Sequence, residues 1–147
     1  MALIVAVCVL LVVLTTVVHY EVLRLMAVSL PVFSMHTRAK LIVVIFGAFL
    51  AHFAEIALYA VAIFFLVRMA GIGSLGGGGH SSLAQCLYYS AETYSSLGYG
   101  DVAPKGPLRL LAGMEVLNGL LLIGWTASFT YISMERFWKE TGRDRDN

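Results

Sequence analysis

The sequence predicts an all-α integral membrane protein with three transmembrane helices and one shorter helix that enters the membrane and returns. Of the 147 residues, 59% are hydrophobic and only 13% are charged, and the mean hydropathy is +0.83. A soluble domain carries about 25% charged residues, so this chain lacks the polar surface that a water-exposed globule needs. The length fits one membrane domain, residues 1–147, with no second globular domain.

The first predicted transmembrane helix covers residues 2–28. Residues 1–18 carry no Asp, Glu, Lys or Arg, and the apolar pattern weakens only before Pro31. A cleaved signal peptide is not predicted, because the basic start and the small-residue cleavage site that it needs are both missing.

Two further apolar runs predict helices over residues 41–67 and 109–134. Each exceeds the roughly 20 residues that cross a bilayer. The first run is interrupted by His52 and Glu55, and Glu115 is the one charged residue within 110–134.

The distribution of lysine and arginine predicts the orientation. Seven of these residues lie around the first linker or after the third helix: Arg24, Arg38, Lys40, Arg136, Lys139, Arg143 and Arg145. The connection between the second and third helices holds only three: Arg68, Lys105 and Arg109. Because positive charge favours the cytoplasmic side, we expect the N-terminus outside and the tail, residues 135–147, in the cytoplasm. The membrane is then the plasma membrane, or the inner membrane if the source is bacterial.

The connection between the second and third spans predicts a re-entrant segment. The glycine-rich stretch 71–79 is expected to be loop throughout. A short helix over residues 82–95 follows, with Ser81 or Ser82 as its N-cap. This helix is too short to cross the membrane, and the chain returns over 96–101 without regular structure. Such backbone is tolerated at membrane depth only where it lines water or lies within protein.

The returning segment reads Ser-Ser-Leu-Gly-Tyr-Gly-Asp over residues 95–101. Gly98 and Gly100 flank one residue, and glycine accepts backbone angles that other residues avoid, which can turn successive carbonyl oxygens toward one axis. In this segment and in its setting between two spans, over about residues 41–134, the chain resembles the potassium-channel pore domain. In that family, rings of carbonyls from four such loops replace the hydration shell of K⁺.

The resemblance implies an outer helix (41–67), a pore helix (82–95), a selectivity filter (96–101) and an inner helix (109–134). It also implies that Ser96, Leu97, Gly98, Tyr99 and Gly100 form the ion-binding filter. The K⁺ ligands in it are expected to be the carbonyls of the first four residues and the Ser96 hydroxyl. Because one chain supplies one filter strand, a homotetramer is expected, with the helix over 2–28 outside the pore.

Two filter positions depart from the family pattern. Ser96 stands where the family usually has threonine, and Leu97 stands where it usually has valine. Serine keeps the hydroxyl ligand but lacks the β-branched stiffness of threonine. Selectivity or conduction rate is therefore open to change.

Residues around the filter are expected to support it. The resemblance implies that Thr93 belongs to this support and that Glu92 and Asp101 share a proton behind the filter. Two carboxyl groups in a dry site cannot both ionise cheaply, which favours a protonated Glu92. The alternative is a Glu92 side chain that points to solvent near the end of the helix.

Four polar residues inside the spans predict an intramembrane network. His52 and Glu55 share one helix face, and Glu115 and Asn118 share another. Glu55 and Asn118 lie about 18 Å and about 15 Å from the outer helix ends, so we expect them to meet if the helices are neighbours. The alternatives are a pH-sensing pair and a metal site that includes His19, although this spacing is not typical of zinc.

Two glycines in the third span, Gly119 and Gly124, have two interpretations. In the related family a glycine near the first position is often a gating hinge. A small residue that permits close helix packing is the alternative.

The predicted function is passive, selective K⁺ conduction without a cofactor. The expected partners are three other copies of the chain and the lipid bilayer, with no nucleic acid and no small-molecule substrate other than ions. Two alternatives stay open: a non-conducting or weakly selective pore-like protein with a structural role, and a membrane enzyme or metal protein that uses His52, Glu55 and Glu115. No nucleophile or nucleotide-binding motif supports an enzyme.

Overall fold

The computed structural model describes residues 1–33, 35–76 and 82–143, with side chains described up to residue 139. Part of the predicted glycine loop (77–79), the alternative N-cap Ser81 and the last four residues of the predicted tail lie outside the described residues.

The described chain is mostly helical, as the sequence predicts. Its elements in chain order are α1 (Ala2–Ser29), α2 (Thr37–Arg68), β1 (Ser74–Leu75), α3 (Leu83–Tyr94), β2 (Pro104–Lys105) and α4 (Leu108–Arg143). By length and composition, α1, α2 and the part of α4 up to Lys139 are able to cross a membrane. The predicted class, an all-α membrane protein with three spans, is confirmed.

Helix α4 is longer than expected. It continues to Arg143, whereas the sequence predicts an inner helix ending at 134 and a separate tail. No proline or glycine interrupts residues 135–139, and Lys139 forms an ion pair with Glu135 one turn earlier, with 2.6 Å between Nζ and Oε1. Such pairs support an exposed helical turn.

The glycine-rich connection is not loop throughout. Ser74 and Leu75 form an antiparallel pair with Lys105 and Pro104. Gly73 directly precedes β1 and has a φ of 75°. A Cβ at this residue would lie 2.5 Å from the Lys105 carbonyl oxygen. The pairing fixes the chain after α2 beside the chain that leaves the filter segment.

Helix α1 is part of the packed interior and contacts both α2 and α4. Its buried residues recur every three or four positions, which forms one stripe along the helix: Ile4, Cys8, Leu11, Thr15, His19, Leu23 and Met26. On α2, Gly47 lies against Met26 of α1, because a Cβ at Gly47 would overlap the Met26 Sδ atom. A small residue at this position lets the two helices approach closely.

Candidate functional site

The short helix α3 holds the chain segment that carries the glycine motif. The Ser82 side chain caps the helix by accepting a hydrogen bond from the Gln85 N–H at 3.1 Å. The helix lies between α2 and α4 and ends at Tyr94, so residues 95–101 begin at its C-terminal end.

The backbone N–H groups of residues 96–99 all turn back toward the end of α3. The N–H of residue 96 donates to the Thr93 carbonyl at 3.0 Å, and those of 97 and 98 donate to the Glu92 carbonyl at 2.9 and 3.2 Å. The N–H of residue 99 donates to the Glu92 carboxylate at 3.1 Å. The donors of the ribbon are therefore all bound on one side.

The carbonyl oxygens of the same ribbon are free. Within residues 1–33, 35–76 and 82–143, no hydrogen bond is made to the carbonyls of 96–99. The backbone alternates, because Ser96, Gly98 and Gly100 have φ values of 55°, 54° and 81°. A left-handed φ suits glycine but strains serine, at a cost of about 1–2 kcal/mol.

The predicted direct pair between Glu92 and Asp101 is not formed in this single chain. Glu92 is buried, at 4% exposure, so it does not point to solvent either, and its carboxylate is bound to the filter backbone. Asp101 instead accepts hydrogen bonds from the Tyr88 hydroxyl, at 3.1 and 3.3 Å, and from the Val102 N–H. Tyr88 lies one turn before Glu92, and its longer side chain reaches the mouth where Asp101 lies.

The Tyr88 phenol is suited to this donor role. Partial desolvation, and then the neighbouring Asp101 carboxylate, raise the pKa of Tyr88 above its usual range. The hydroxyl therefore keeps its proton at neutral pH and donates a hydrogen bond to the Asp101 carboxylate.

The predicted intramembrane network is present but divided into separate clusters. His52 and Glu55 are joined by His19 of α1, which was not part of the predicted set. His19 Nδ1 lies 2.8 Å from Glu55 Oε1, and His52 Nδ1 lies 3.2 Å from Glu55 Oε2. The Nε2 atoms of both rings face the Thr126 hydroxyl, at 2.9 Å for His52 and 3.2 Å for His19.

Tyr94, the last residue of α3, completes this cluster. Its hydroxyl donates to Glu55 Oε2 and lies 2.9 Å from His52 Nδ1. Burial, and then the hydrogen bond to Glu55, raise the pKa of the Tyr94 phenol, so that it remains a donor. The hydrogen bonds of Tyr94 thereby connect the C-terminal end of α3 to the cluster formed by α1, α2 and α4.

Asn118 does not meet Glu55, which corrects the predicted contact. Its amide donates instead to the Thr15 hydroxyl at 2.7 Å and to the Tyr59 hydroxyl at 3.2 Å. It therefore links α4 to α1 and α2 in a cluster of its own.

Glu115, which is fully buried, faces α3. Its Oε1 accepts a hydrogen bond of 2.5 Å from Ser90, and Ser90 also contacts the Ile56 carbonyl. Among the residues that the structure describes, Glu115 Oε2 has no hydrogen-bond partner.

Sequence reasoning missed most partners of these clusters, and it named His19 only in the metal-site alternative. Thr15 and His19 are four residues apart in an uncharged apolar run, and this spacing on one helix face was an available signal. The sequence spacing of His19, His52 and Glu55 was not typical of a metal site, yet the fold brings one ligand atom of each within 4.8 Å of the others.

The two glycines of α4 differ in their surroundings. A Cβ on Gly119 would overlap the Tyr94 carbonyl oxygen and lie 3.0 Å from its carbonyl carbon, whereas nothing lies within 4 Å of a Cβ on Gly124. Close packing therefore accounts for Gly119.

Comparison with known proteins identifies the family. A family model described as ion channel matches residues 40–136, which is about two thirds of the chain. The chain belongs to this family, that of the two-transmembrane-type potassium channel pore. No curated protein and no solved structure matches the chain.

The matched segment covers the three later helices. It begins within α2, includes all of α3 and ends within α4, whereas all of α1 precedes it. The protein is thus a multi-pass membrane protein of a non-enzymatic, ion-conducting class, and channels of this family are generally oligomeric.

Proposed function

We propose that this channel conducts K⁺ passively and selectively through a central pore that four identical chains form. K⁺ is the transported ion, and no cofactor takes part. The N-terminus of α1 lies outside the cell and the C-terminal end of α4 lies in the cytoplasm, in the plasma membrane or a bacterial inner membrane.

The observation that carries the proposal is the division of the 96–99 backbone into a bound side and a free side. All four N–H groups are used on the pore-helix side, while the carbonyl oxygens have no partner in the described chain. A row of free carbonyls at membrane depth needs a cation or water, because hydrocarbon offers no donors. Together with the Ser96 hydroxyl, such carbonyls are the oxygen ligands that dehydrated K⁺ requires.

Exposure of the ribbon supports assembly from several chains. In the single chain, the large side chains of Leu97 and Tyr99 are 59% and 69% exposed. Tyr94, three residues before Leu97, is only 1% exposed. One ribbon supplies one side of an ion site. Four ribbons around an axis give closed rings of carbonyls and cover these side chains.

The Glu92 carboxylate acts as a brace in this proposal. It binds the N–H of residue 99 from behind, which holds the ribbon with its carbonyls turned away from the pore helix. Asp101 and Tyr88 hold the outer end of the same ribbon.

Flux into vesicles tests the proposal. The purified channel is reconstituted into liposomes, and K⁺ and Na⁺ uptake are measured under equal gradients; we expect K⁺ uptake to exceed Na⁺ uptake at least about tenfold, a difference of about 1.4 kcal/mol. Gly98→Ala should reduce K⁺ uptake at least about tenfold, because alanine at a left-handed φ costs about 1–2 kcal/mol in each chain.

Gly113→Ala is the matched control, since Gly113 is helical and has nothing within 4 Å of its Cβ position. Its uptake should stay within about twofold of the parent, because helices favour alanine over glycine. Equal K⁺ and Na⁺ uptake would show a weakly selective channel, and no uptake by correctly assembled protein would favour a structural role.

A further inference from the structure

A compact group of two imidazoles and one carboxylate lies inside the helix bundle, away from the filter ribbon. His19 comes from α1, and His52 and Glu55 come from α2. The His19 and Glu55 side chains are fully buried, and the His52 side chain is 18% exposed. One ligand atom from each residue lies within 4.8 Å of the other two.

The hydrogen bonds of this cluster are at least one hydrogen short. Tyr94 contacts Glu55 and His52, both Nδ1 atoms face Glu55, and both Nε2 atoms face Thr126, which gives six contacts. Two neutral imidazoles supply one hydrogen each, and the two hydroxyls supply one each. Even if one hydrogen is shared between two acceptors, at least one contact places two lone pairs against each other, which is costly for buried groups.

A cation resolves both the missing hydrogen and the buried charge of Glu55. We propose that His19, His52 and Glu55 bind one divalent transition-metal ion per chain, with Zn²⁺ as the representative ion. The ion lies between the two Nδ1 atoms and the Glu55 carboxylate. It thereby joins the N-terminal helix α1 to the outer helix α2.

The surrounding hydroxyls fit this arrangement. When both Nδ1 lone pairs face the ion, both rings carry their hydrogen on Nε2. The two lone pairs of Thr126 Oγ1 then accept one hydrogen bond from each ring. This outer contact fixes the ring orientation, as the second shell of a metal site does. Tyr94 lies 2.9 Å from His52 Nδ1 and supplies an oxygen for a fourth position.

The ligand types select the class of ion. Two imidazole nitrogens and one carboxylate oxygen are a common donor set for Zn²⁺, and imidazole also suits Cu²⁺, Ni²⁺ and Co²⁺, whereas Mg²⁺ and Ca²⁺ prefer oxygen alone. The observed separations of 2.8 and 3.2 Å between Nδ1 and carboxylate oxygens are close to the roughly 3.3 Å edge of a tetrahedral site with bonds of about 2.0 Å.

Binding of Co²⁺ to the full-length purified channel tests the proposal without any measurement of ion flux. The protein is stripped with a chelator and titrated with Co²⁺, whose visible absorption reports four- or five-coordinate nitrogen and oxygen ligation. We expect one Co²⁺ per chain, displaced by Zn²⁺. His19→Gln and His52→Gln should each weaken binding at least about tenfold, because even the loss of an outer-shell partner of a metal ligand costs about 10–100-fold in affinity.

His36→Gln is the matched control, because His36 is an exposed histidine at the start of α2 and lies outside the cluster. It should bind Co²⁺ as the parent does. If H19Q and H52Q do not fold, the melting temperature supplies a second readout. Zn²⁺ should raise the melting temperature of the parent and of H36Q, and it should not raise that of E55Q, which keeps the shape of the Glu55 side chain.

Several outcomes overturn the proposal. These are no Co²⁺ absorption in the parent, binding that is equal in H19Q, H52Q and the parent, and a proton on Nδ1 of His19 or His52 that Zn²⁺ does not displace. Because none of these readouts involves conduction, failure of this site is distinct from failure of K⁺ selectivity.

Discussion

At the scale of single residues, helix α4 carries two glycines whose surroundings differ. The Gly119 Cα lies against the Tyr94 carbonyl, at the point where the pore helix ends, and the space for a Cβ is taken by backbone atoms. Backbone cannot rotate away as a side chain can. Gly124, five residues on, faces open space in the described chain.

Gly119→Ala should therefore destabilise the channel, and Gly124→Ala should not. Overpacking typically costs about 1–3 kcal/mol, and we expect Gly119→Ala to lower the melting temperature of the purified protein and to displace the end of α3. The measurement is thermal unfolding followed by tryptophan fluorescence. Equal melting temperatures for the two variants would contradict close packing at Gly119 and would leave the hinge interpretation.

At the scale of elements, polar contacts hold α1 to the pore unit. Asn118 of α4 reaches the Thr15 hydroxyl on α1 and the Tyr59 hydroxyl on α2, so one amide joins three helices. Lipid tails are as apolar as leucine, and the association of helices in a membrane therefore depends on packing and on such hydrogen bonds.

Two adjacent threonines on α1 allow this contact to be tested. Thr15→Val removes the partner of Asn118 while keeping the side-chain shape, and it should reduce the free energy of unfolding by about 0.6–1.7 kcal/mol. Thr16→Val is the control, because the Thr16 hydroxyl donates within its own helix, to the Val12 carbonyl at 2.7 Å, and it should cost less than about 0.5 kcal/mol. Steric trapping in micelles measures both; similar losses would argue against a role for the Asn118 contact.

The helices were predictable from the sequence, but the contacts of their polar residues were not. Long apolar runs indicate a span because of the bilayer thickness. Glu115 and Asn118 share a face by spacing, yet residues three apart differ by about 60° around a helix of 3.6 residues per turn. That angle is enough for Glu115 to face α3 and for Asn118 to face α1 and α2, and it depends on the rotation of α4, which no local pattern encodes.

The backbone angles of residues 96–100 were partly predictable from the sequence, and the contacts of this segment less so. The glycine spacing indicated positive φ at Gly98 and Gly100, and both occur. The left-handed Ser96 and the Tyr88–Asp101 contact were not foreseen, because each depends on how the end of α3 is placed against the returning chain.

At the scale of the whole molecule, the single chain leaves the side chains of the 96–100 segment exposed. Leu97 and Tyr99 are exposed, as are Leu117 and Leu121 on α4. Large exposed apolar side chains on one unit indicate contact with other units or with lipid. In the proposed tetramer, the filter ribbons meet only when four chains are assembled.

Removal of K⁺ should therefore weaken the assembly. An ion that binds the assembled ring and not the separate chains stabilises the ring by about 2.7 kcal/mol when its concentration is 100 times the dissociation constant. We expect the oligomer to dissociate at a lower temperature in NaCl than in matched KCl, as measured by gel filtration after heating. The difference should vanish in Gly98→Ala, and identical behaviour of the parent in both salts would count against a K⁺ site shared between chains.

The tie between α1 and the later helices has a consequence for biosynthesis. Helix α1 leaves the ribosome before α2 and α4, and the mean hydropathy of the three spans falls in the same order. Thr15 and His19 therefore enter the bilayer before the Asn118 amide and the Glu55 carboxylate that they contact. We expect these contacts to lower the cost of placing both polar groups in hydrocarbon during synthesis.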